Sequence, residues 1–283
     1  MNKYLTDKEF INSEIKKYFD SINVQNQFQC AALYIIGPDG HRYRSLISLA
    51  IYESMGGKRE EYTESLIGIE CLHASSLIFD DLPAFDNSDM RKGKTSVHLK
   101  FSESTAILAG LYLMNTGQYL LSRNLRQHHE SYSTLLQNQD LIYETINKMF
   151  IGEELDLLNV KNKKDLHSSM ILKNDLFTFS CILPSLSLNV ADSNIVKTLK
   201  KLAIQIAEAY QLFDDLRDIS NTTLTGKPIN MDTEKNTSLY RYGENNVKEM
   251  LSKQKRKMIS TVKNLDNSEH LQYLINYIFS TPS

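Results

Sequence analysis

The chain has 283 residues, of which 41% are hydrophobic, enough to form a substantial buried core. Its 32 basic and 34 acidic residues leave a net charge of -2, which excludes the strong positive field typical of proteins that bind nucleic acid or anionic membranes. Three widely spaced cysteines match neither a disulfide framework nor a zinc site, and they favour a reducing, cytoplasmic location. The charged N-terminus does not resemble a signal peptide, and no run of about 18 apolar residues predicts a transmembrane helix.

Taken in chain order, the predicted elements are all helices. No proline occurs between Pro83 and Pro184, and the chain has only 11 glycines, which favours long helices. Loops are predicted at residues 37–41, 55–60, 86–95, 159–165 and 221–236. None of these loops is long or low in complexity enough to mark a domain boundary, so we expect a single all-α domain over residues 1–283.

The first unusual segment is LIFDDLPAFD, residues 77–86. Its apolar start continues a helical pattern, and Pro83 disfavours a helix beyond Asp81. Asp80 and Asp81 are therefore predicted at a helix C-terminus, where the helix dipole places partial negative charge. We expect a cation to compensate these aspartates.

The second unusual segment repeats the first. The tetrapeptide FDDL, residues 79–82, recurs at residues 213–216 within a stretch whose apolar residues follow one helical face. Asp214 and Asp218 are one turn apart on the polar side of this helix, at about 6 Å, so they can hold a hard cation.

Basic segments follow both acidic clusters, at residues 90–94 and 225–227. A single aspartate pair is most often a solvated helix end. Two copies in the same apolar setting, each followed by basic residues, are difficult to explain in that way. Magnesium prefers sites shared between carboxylates and substrate phosphates, so the pattern predicts a magnesium-dependent diphosphate site.

These motifs resemble those of the short-chain trans-prenyl diphosphate synthases, the farnesyl and geranylgeranyl diphosphate synthase type, from about Gly37 to Gly243. DDLPAFD and FDDLRD match the two aspartate-rich motifs of that family, and Arg91-Lys92 match the arginine pair after the first. Further landmarks match in order: GHRYRS (40–45), ECLH (70–73), GEELD (152–156), Lys173 and Gly226-Lys227. The resemblance implies an isoprenoid-synthase-like helical bundle around a deep central cavity, commonly a homodimer.

The resemblance also implies a reaction. Such enzymes condense an allylic diphosphate (dimethylallyl, geranyl or farnesyl) with isopentenyl diphosphate head-to-tail, with three Mg²⁺ ions neutralising the leaving diphosphate. The implied metal ligands are Asp80, Asp81, Asp86, Asp214 and Asp218, with Asp215 and Gln211 supporting them. Arg91, Lys173 and Lys227 are implied at the allylic diphosphate, and His41, Arg44, His73 and Lys92 at isopentenyl diphosphate. Asp80, Asp81, Lys173 and Asp214 are the expected catalytic residues.

The isopentenyl diphosphate site departs from the family pattern. His41 replaces a lysine and Lys92 replaces an arginine, and both changes weaken phosphate binding. One alternative function is therefore an allylic diphosphate lyase or cyclase, or a prenyltransferase that uses another acceptor. A regulatory subunit of a heteromeric synthase is a second alternative, against which the six intact aspartates argue. Asn174 and Phe79 also depart from the pattern, and no effect is predicted for them.

Product length depends in this family on residues one to two turns before the first motif, here Leu72, Ser75 and Ser76. Ser75 lies five positions before Asp80, where an aromatic residue would limit products to about fifteen carbons. We therefore expect a product of about twenty carbons, unless Tyr112 on the next helix fills the space.

Overall fold

The computed structural model describes residues 3–127, 132–158, 168–169, 171–190, 192–220 and 242–280, without the side chains of residues 132–134, 215 and 217–220. The α-helices are α1 (Lys3–Asp20), α2 (Gln27–Ile36), α3 (Tyr43–Ser54), α4 (Thr63–Asp80), α5 (Val97–Lys100), α6 (Glu103–Gln127), α7 (Tyr132–Leu157), α8 (Asp175–Ser187), α9 (Ser193–Ser220), α10 (Glu244–Val262) and α11 (Glu269–Ile278). The all-α prediction is confirmed.

The predicted loops are partly ordered. A 3-10 helix, Arg59–Tyr62, begins within the loop predicted at residues 55–60. The loop predicted at 86–95 contains a small antiparallel hairpin of strands β1 (Met90–Arg91) and β2 (Lys94–Thr95). The loops predicted at 159–165 and 221–236 lie outside the described residues.

Helices α4 and α6 pack closely because glycines face each other at their contact. A Cβ atom at Gly117 would lie 2.9 Å from the carbonyl oxygen of Gly68, nearer than Cβ atoms normally approach. The absence of side chains at this crossing lets the two backbones approach each other. The C-terminus of α4, which carries the first acidic cluster, is thereby held against a long helix.

Helix α8 lies at the centre of the fold. Nearly all of its residues are buried, including Phe177 and Phe179. A helix that is apolar all round must be covered on all sides, and α8 contacts α3, α4, α6, α7 and α9. The helices that carry the candidate site residues therefore surround α8.

The two ends of the described chain are joined by a buried polar contact. Asp7 of α1 is 1% exposed, and its carboxylate lies 2.7 Å from Nε2 of His270 on α11 and 3.1 Å from the guanidinium of Arg59. Among the described helices, none has both the length and the apolar character needed to cross a bilayer.

Candidate active site

The first acidic cluster is built by the end of α4 and the chain that follows it. Asp80 is the last residue of α4 and Asp81 is its C-cap, as the sequence predicts. The backbone N–H of Asp86 donates to the carbonyl oxygen of Asp80 at 2.9 Å, and that of Ser88 donates to the carbonyl oxygen of Asp81 at 3.2 Å. These bonds satisfy carbonyl groups that a helix end leaves unpaired, and they hold Asp86 near Asp80.

The cation expected beside these aspartates is Arg91, on strand β1. Its Nε donates to Oδ1 of Asp81 at 2.8 Å, and its Nη2 donates to the same oxygen. Burial lowers the pKa of Arg91, but the nearby carboxylates, Asp81 first, raise it further, so the net shift is upward. Arg91 therefore anchors the β1–β2 hairpin to the end of α4. Its contact with an allylic diphosphate stays a prediction.

Negative charge is in excess around Asp80. Burial is the largest cause that raises the pKa of Asp80, to about 7, and the carboxylates of Glu153 and Asp86 add to it. Lys173 and Arg91 lower this pKa without restoring it to the usual carboxyl value. A cation bound here would favour the ionised form of Asp80, which burial and the neighbouring carboxylates disfavour.

Lys173 lies on the other side of this acidic cluster. Its Nζ is 2.7 Å from Oδ2 of Asp156 and 2.9 Å from Oε2 of Glu153, both on α7. Burial lowers the pKa of Lys173, but the charges of Asp156 and Glu153 raise it further. The backbones are also in contact, because a Cβ atom at Gly152 would lie 2.2 Å from the amide nitrogen of Lys173. No role is predicted for Glu153 from the sequence. It is the first glutamate of GEELD, at a position where the family has a glutamine.

A basic site forms where α3 meets α4. Nη1 of Arg44 lies 3.4 Å from Nε2 of His73, and the guanidinium carbon lies 4.1 Å from the centre of the Phe177 ring. Arg44 is 9% exposed, and its Nε has no hydrogen-bond partner among the described residues. Burial is the largest cause that lowers the pKa of His73 well below its usual value, followed by the charges of Arg44 and Lys92. His73 is therefore neutral beside a buried guanidinium, an arrangement suited to an anion.

Arg42, which lies in the matched motif GHRYRS but has no role predicted from the sequence, supports this site. It adopts a left-handed backbone conformation with φ 61°, and its Nη1 lies 2.7 Å from Oε2 of the buried Glu70. Its Nη2 donates to the carbonyl oxygens of Ile36 and Gly37 at the end of α2. Arg42 therefore fixes the start of α3, two residues before Arg44. Glu70 lies three residues before His73 on α4, but the sequence gives no sign of its partner.

The two residues of the implied isopentenyl diphosphate site that depart from the family pattern, His41 and Lys92, lie at the rim of this basic site. Lys92 is exposed, yet the surrounding protein withdraws enough water to lower the pKa of its ammonium to about 8, and Arg42 and Arg91 contribute to this shift. The charge of Arg44 lowers the pKa of Lys92, and the charge of Lys92 lowers the pKa of His73. His41 is exposed, with its ring 5.0 Å from that of Tyr43. The structure thus brings together Arg44, His73 and Lys92, and it places His41 at the surface, three residues before Arg44 in sequence.

The second acidic cluster lies on α9. Phe213 and Leu216 are buried, while Gln211 and Asp214 are half-buried. The side chains of Asp215 and Asp218, together with Lys227, lie outside the described residues. Helix α8 contacts both α4 and α9 and so links the helices that carry the two clusters. Within the described side chains, no three metal-ligating groups converge on one point.

The structure changes the argument about product length. Ser75 has no exposed surface, because it faces α6 and its Oγ donates to the carbonyl oxygen of Gly110 at 2.8 Å. The accessible face of α4 passes through His73, Ser76, Leu77 and Asp80. Ser76 is therefore the small residue on the face that leads away from Asp80. The ring of Tyr112 lies 5.5 Å from that of Phe28, and Phe79 packs against Gly110.

The comparison with protein families agrees with these motifs. The model of a family described as polyprenyl synthetase matches residues 25–278. This span is wider than the one from about Gly37 to Gly243 over which the motifs resemble the family. The chain belongs to the polyprenyl synthetase family. The family resemblance predicted from the sequence is therefore confirmed.

Relatives of this chain include synthases named for two different products. The farnesyl diphosphate synthase of Bacillus subtilis is 26% identical over 246 residues, which cover 85% of this chain and 83% of the relative. The geranylgeranyl diphosphate synthase of Pseudescherichia vulneris is 30% identical, with coverage of 75% and 70%.

A solved structure shows the same fold. The geranyltransferase of Helicobacter pylori, complexed with magnesium and isoprenyl diphosphate, matches with a TM-score of 0.79 at 22% identity, over 99% of this chain and 98% of that protein. The prediction of an isoprenoid-synthase-like helical fold is confirmed.

Proposed function

We propose that the protein is a magnesium-dependent prenyltransferase of isoprenoid biosynthesis. It condenses an allylic diphosphate with isopentenyl diphosphate head-to-tail and yields a prenyl diphosphate of fifteen to twenty carbons. One observation carries the proposal: a carboxylate cluster, in which burial and neighbouring carboxylates raise the pKa of Asp80, occurs together with a buried guanidinium at Arg44 that has no carboxylate partner within the described residues. A reaction that joins two diphosphate substrates needs both kinds of site. The names of the relatives support this choice.

The acidic side is suited to Mg²⁺ because its side chains are hard oxygen donors with excess negative charge. Asp80, Asp81, Asp86, Asp214 and Asp218 would hold the metal, for which we propose three ions. Bound Mg²⁺ supplies charge neutralisation for a departing diphosphate. Arg91, Lys173 and Lys227 would bind the diphosphate of the allylic substrate, and Gln211 would support the ligands on α9.

The basic side would bind isopentenyl diphosphate. Arg44 offers charged N–H donors, and neutral His73 can donate one N–H without adding positive charge. Lys92 and His41 would add contacts at the rim. This geometry holds the acceptor still while its double bond attacks the allylic carbon.

We also propose that the chain forms one domain over residues 1–283 and works as a cytoplasmic homodimer. The contact between α1 and α11 supports a single domain, and three unbridged cysteines fit a reducing compartment. On α7, Tyr143 and Phe150 are 67% and 51% exposed and two turns apart on one face, and Leu111 of the adjacent α6 is 51% exposed. A second copy would cover this apolar surface. Analytical ultracentrifugation should show a dimer that Phe150→Glu dissociates, and a wild-type monomer would refute it.

A single assay tests the reaction. Purified protein is mixed with Mg²⁺, labelled isopentenyl diphosphate and each of the five-, ten- and fifteen-carbon allylic diphosphates. We expect a longer labelled diphosphate, with the rate reduced about a hundredfold or more by Asp80→Asn. Asp89→Asn, an exposed aspartate in the same segment, is the matched control and should keep wild-type activity.

The same assay separates the alternatives. Conversion of the allylic substrate to hydrocarbon or alcohol without incorporated label would refute condensation and indicate a lyase or cyclase. Absence of any conversion would refute catalysis and indicate a regulatory subunit.

A further inference from the structure

We propose that Phe177 and Tyr210 are positioning residues that hold the guanidinium of Arg44 in place for the diphosphate of the acceptor substrate. The inference rests on the proposed function, because isopentenyl diphosphate is the anion assigned to Arg44. We call Phe177 and Tyr210 the aromatic seat. Both residues act through Arg44, and no role is predicted for either of them from the sequence.

The aromatic seat meets the geometric requirements of a cation–π contact. The guanidinium carbon of Arg44 lies 4.1 Å from the ring centre of Phe177 and 5.4 Å from that of Tyr210, both within the range of about 6 Å for this interaction. The two ring centres are 4.7 Å apart, with the ring planes inclined by 49°. Phe177 has no exposed surface, so water competes little with the contact.

The seat leaves the charge of Arg44 available to a ligand. Neighbouring Arg42 is paired with the carboxylate of Glu70 at 2.7 Å. Over the described part of the chain, no carboxylate lies within ion-pair distance of Arg44, and His73 is its polar side-chain neighbour. A buried carboxylate partner would compete with an incoming diphosphate, whereas an aromatic face stabilises the cation without neutralising it.

The seat also connects Arg44 to the elements of the acidic side. Phe177 lies in the first turn of α8, four residues after Lys173. Tyr210 lies on α9, one turn before Asp214, and its ring centre is 6.5 Å from that of buried Phe213. The two contacts of Arg44 with these rings therefore fix α3 relative to α8 and α9. Lys173 and Asp214, which are assigned to the acidic side, lie next to α8 and on α9. Condensation requires such a fixed spacing between the two diphosphates.

The test compares two equal truncations on one helix. Phe177→Leu removes the seat, and Phe179→Leu removes a phenylalanine that is equally buried, at 1% exposure, and outside the seat. Isothermal titration with isopentenyl diphosphate, and separately with inorganic diphosphate, is performed in EDTA so that metal sites do not contribute. We expect Phe177→Leu to weaken binding of both anions about tenfold and Phe179→Leu to leave it unchanged.

Steady-state kinetics add a second readout. Phe177→Leu should raise KM for isopentenyl diphosphate about tenfold, with kcat and the allylic KM within about twofold of wild type. Tyr210→Phe keeps a ring and should retain the wild-type KM, while Tyr210→Leu should raise it. Because Tyr210 is half-buried, this second pair tests the seat even if Phe177→Leu does not fold.

Three outcomes would overturn the inference: equal effects of Phe177→Leu and Phe179→Leu, equal effects of Tyr210→Phe and Tyr210→Leu, or a wild-type protein that binds neither anion. Failure of the proposed function is distinguishable from these. A protein that binds both anions and makes no prenyl diphosphate would refute the function, while a selective loss of binding in Phe177→Leu would still support the seat.

Discussion

Replacing Lys92 by arginine should remove a pH dependence that acceptor binding shows in the wild-type protein. Loss of hydration at the rim is the largest cause that lowers the pKa of Lys92, to about 8. The charge of Glu70 raises this pKa by less than burial lowers it, and the positive charges of Arg42 and Arg91 lower it further. A group with this pKa is about nine-tenths charged at pH 7 and about one-tenth charged at pH 9. If the charge is needed, KM for isopentenyl diphosphate should rise up to about tenfold over this interval. Arginine stays charged throughout, so Lys92→Arg should give a flat profile.

The neighbouring groups His73 and Glu70 keep their charge states in this range. The pKa of His73 is well below its usual value, so His73 stays neutral, and the pKa of Glu70 is lowered, so Glu70 stays ionised. The pKa of Arg91 is raised, chiefly by the hydrogen bond and charge of Asp81 acting against burial, so Arg91 stays charged. The measurement is KM for isopentenyl diphosphate between pH 6.5 and 9.5, at saturating allylic substrate and constant ionic strength. The profile of Lys92→Arg serves as the control, because Asp80, whose pKa is raised to about 7, also titrates in this interval and affects both variants equally.

Two results would refute this reasoning. An equal rise of KM in Lys92→Arg would assign the pH dependence to another group. A flat wild-type profile would mean that the acceptor does not use the charge of Lys92.

Three further predictions concern stability and product length. Asp7→Asn should lower the melting temperature at pH 7 and weaken its decline in acid, measured by circular dichroism. Burial raises the pKa of Asp7, but the hydrogen bond and charge of His270, with other cations, lower it further. The stability that Asp7 adds is therefore full above the usual carboxyl pKa of 3.8 and is lost as the pH falls through the lower folded-state pKa. Gly117→Ala should destabilise the protein by about 1–3 kcal/mol in urea unfolding, because its Cβ would lie 2.9 Å from a carbonyl oxygen of α4. Ser76→Phe should shorten the product by about one five-carbon unit, detected by chromatography, because Ser76 lies on the accessible face of α4.

Each of these predictions has a control. Gly37→Ala adds a Cβ atom that meets nothing nearer than 3.5 Å, so a destabilisation equal to that of Gly117→Ala would contradict the packing argument. Unchanged acid sensitivity in Asp7→Asn would show that the contact with His270 adds no pH-dependent stability. An unchanged product in Ser76→Phe would mean that the growing chain does not follow that face of α4.

The sequence predicts local features of this site well because they depend on few neighbouring residues. Pro83 identifies the end of α4 and thus the C-terminal position of Asp80 and Asp81. The helical spacing of the apolar residues in 201–218 identifies α9. Both predictions follow from backbone rules that act over one or two helical turns.

Features that depend on tertiary contacts were missed or misassigned. The pair Arg42–Glu70 joins residues far apart in sequence, and nothing in the local pattern of either residue indicates its partner. Ser75 is a small residue at a plausible depth, but the packing of α4 on α6 turns it away from the accessible face. In the sequence, Phe177 is indistinguishable from an ordinary core phenylalanine. Only the position of the Arg44 guanidinium above its ring indicates another role.

The central position of α8 has a consequence for synthesis of the chain on the ribosome. Its covering helices come from both sides in sequence, and α9 is completed only at Ser220. A nascent chain that ends before α9 therefore carries an apolar helix with one side uncovered, a state prone to aggregation. Chaperones that recognise exposed apolar segments should bind this translation intermediate, and release should follow when α9 emerges and docks.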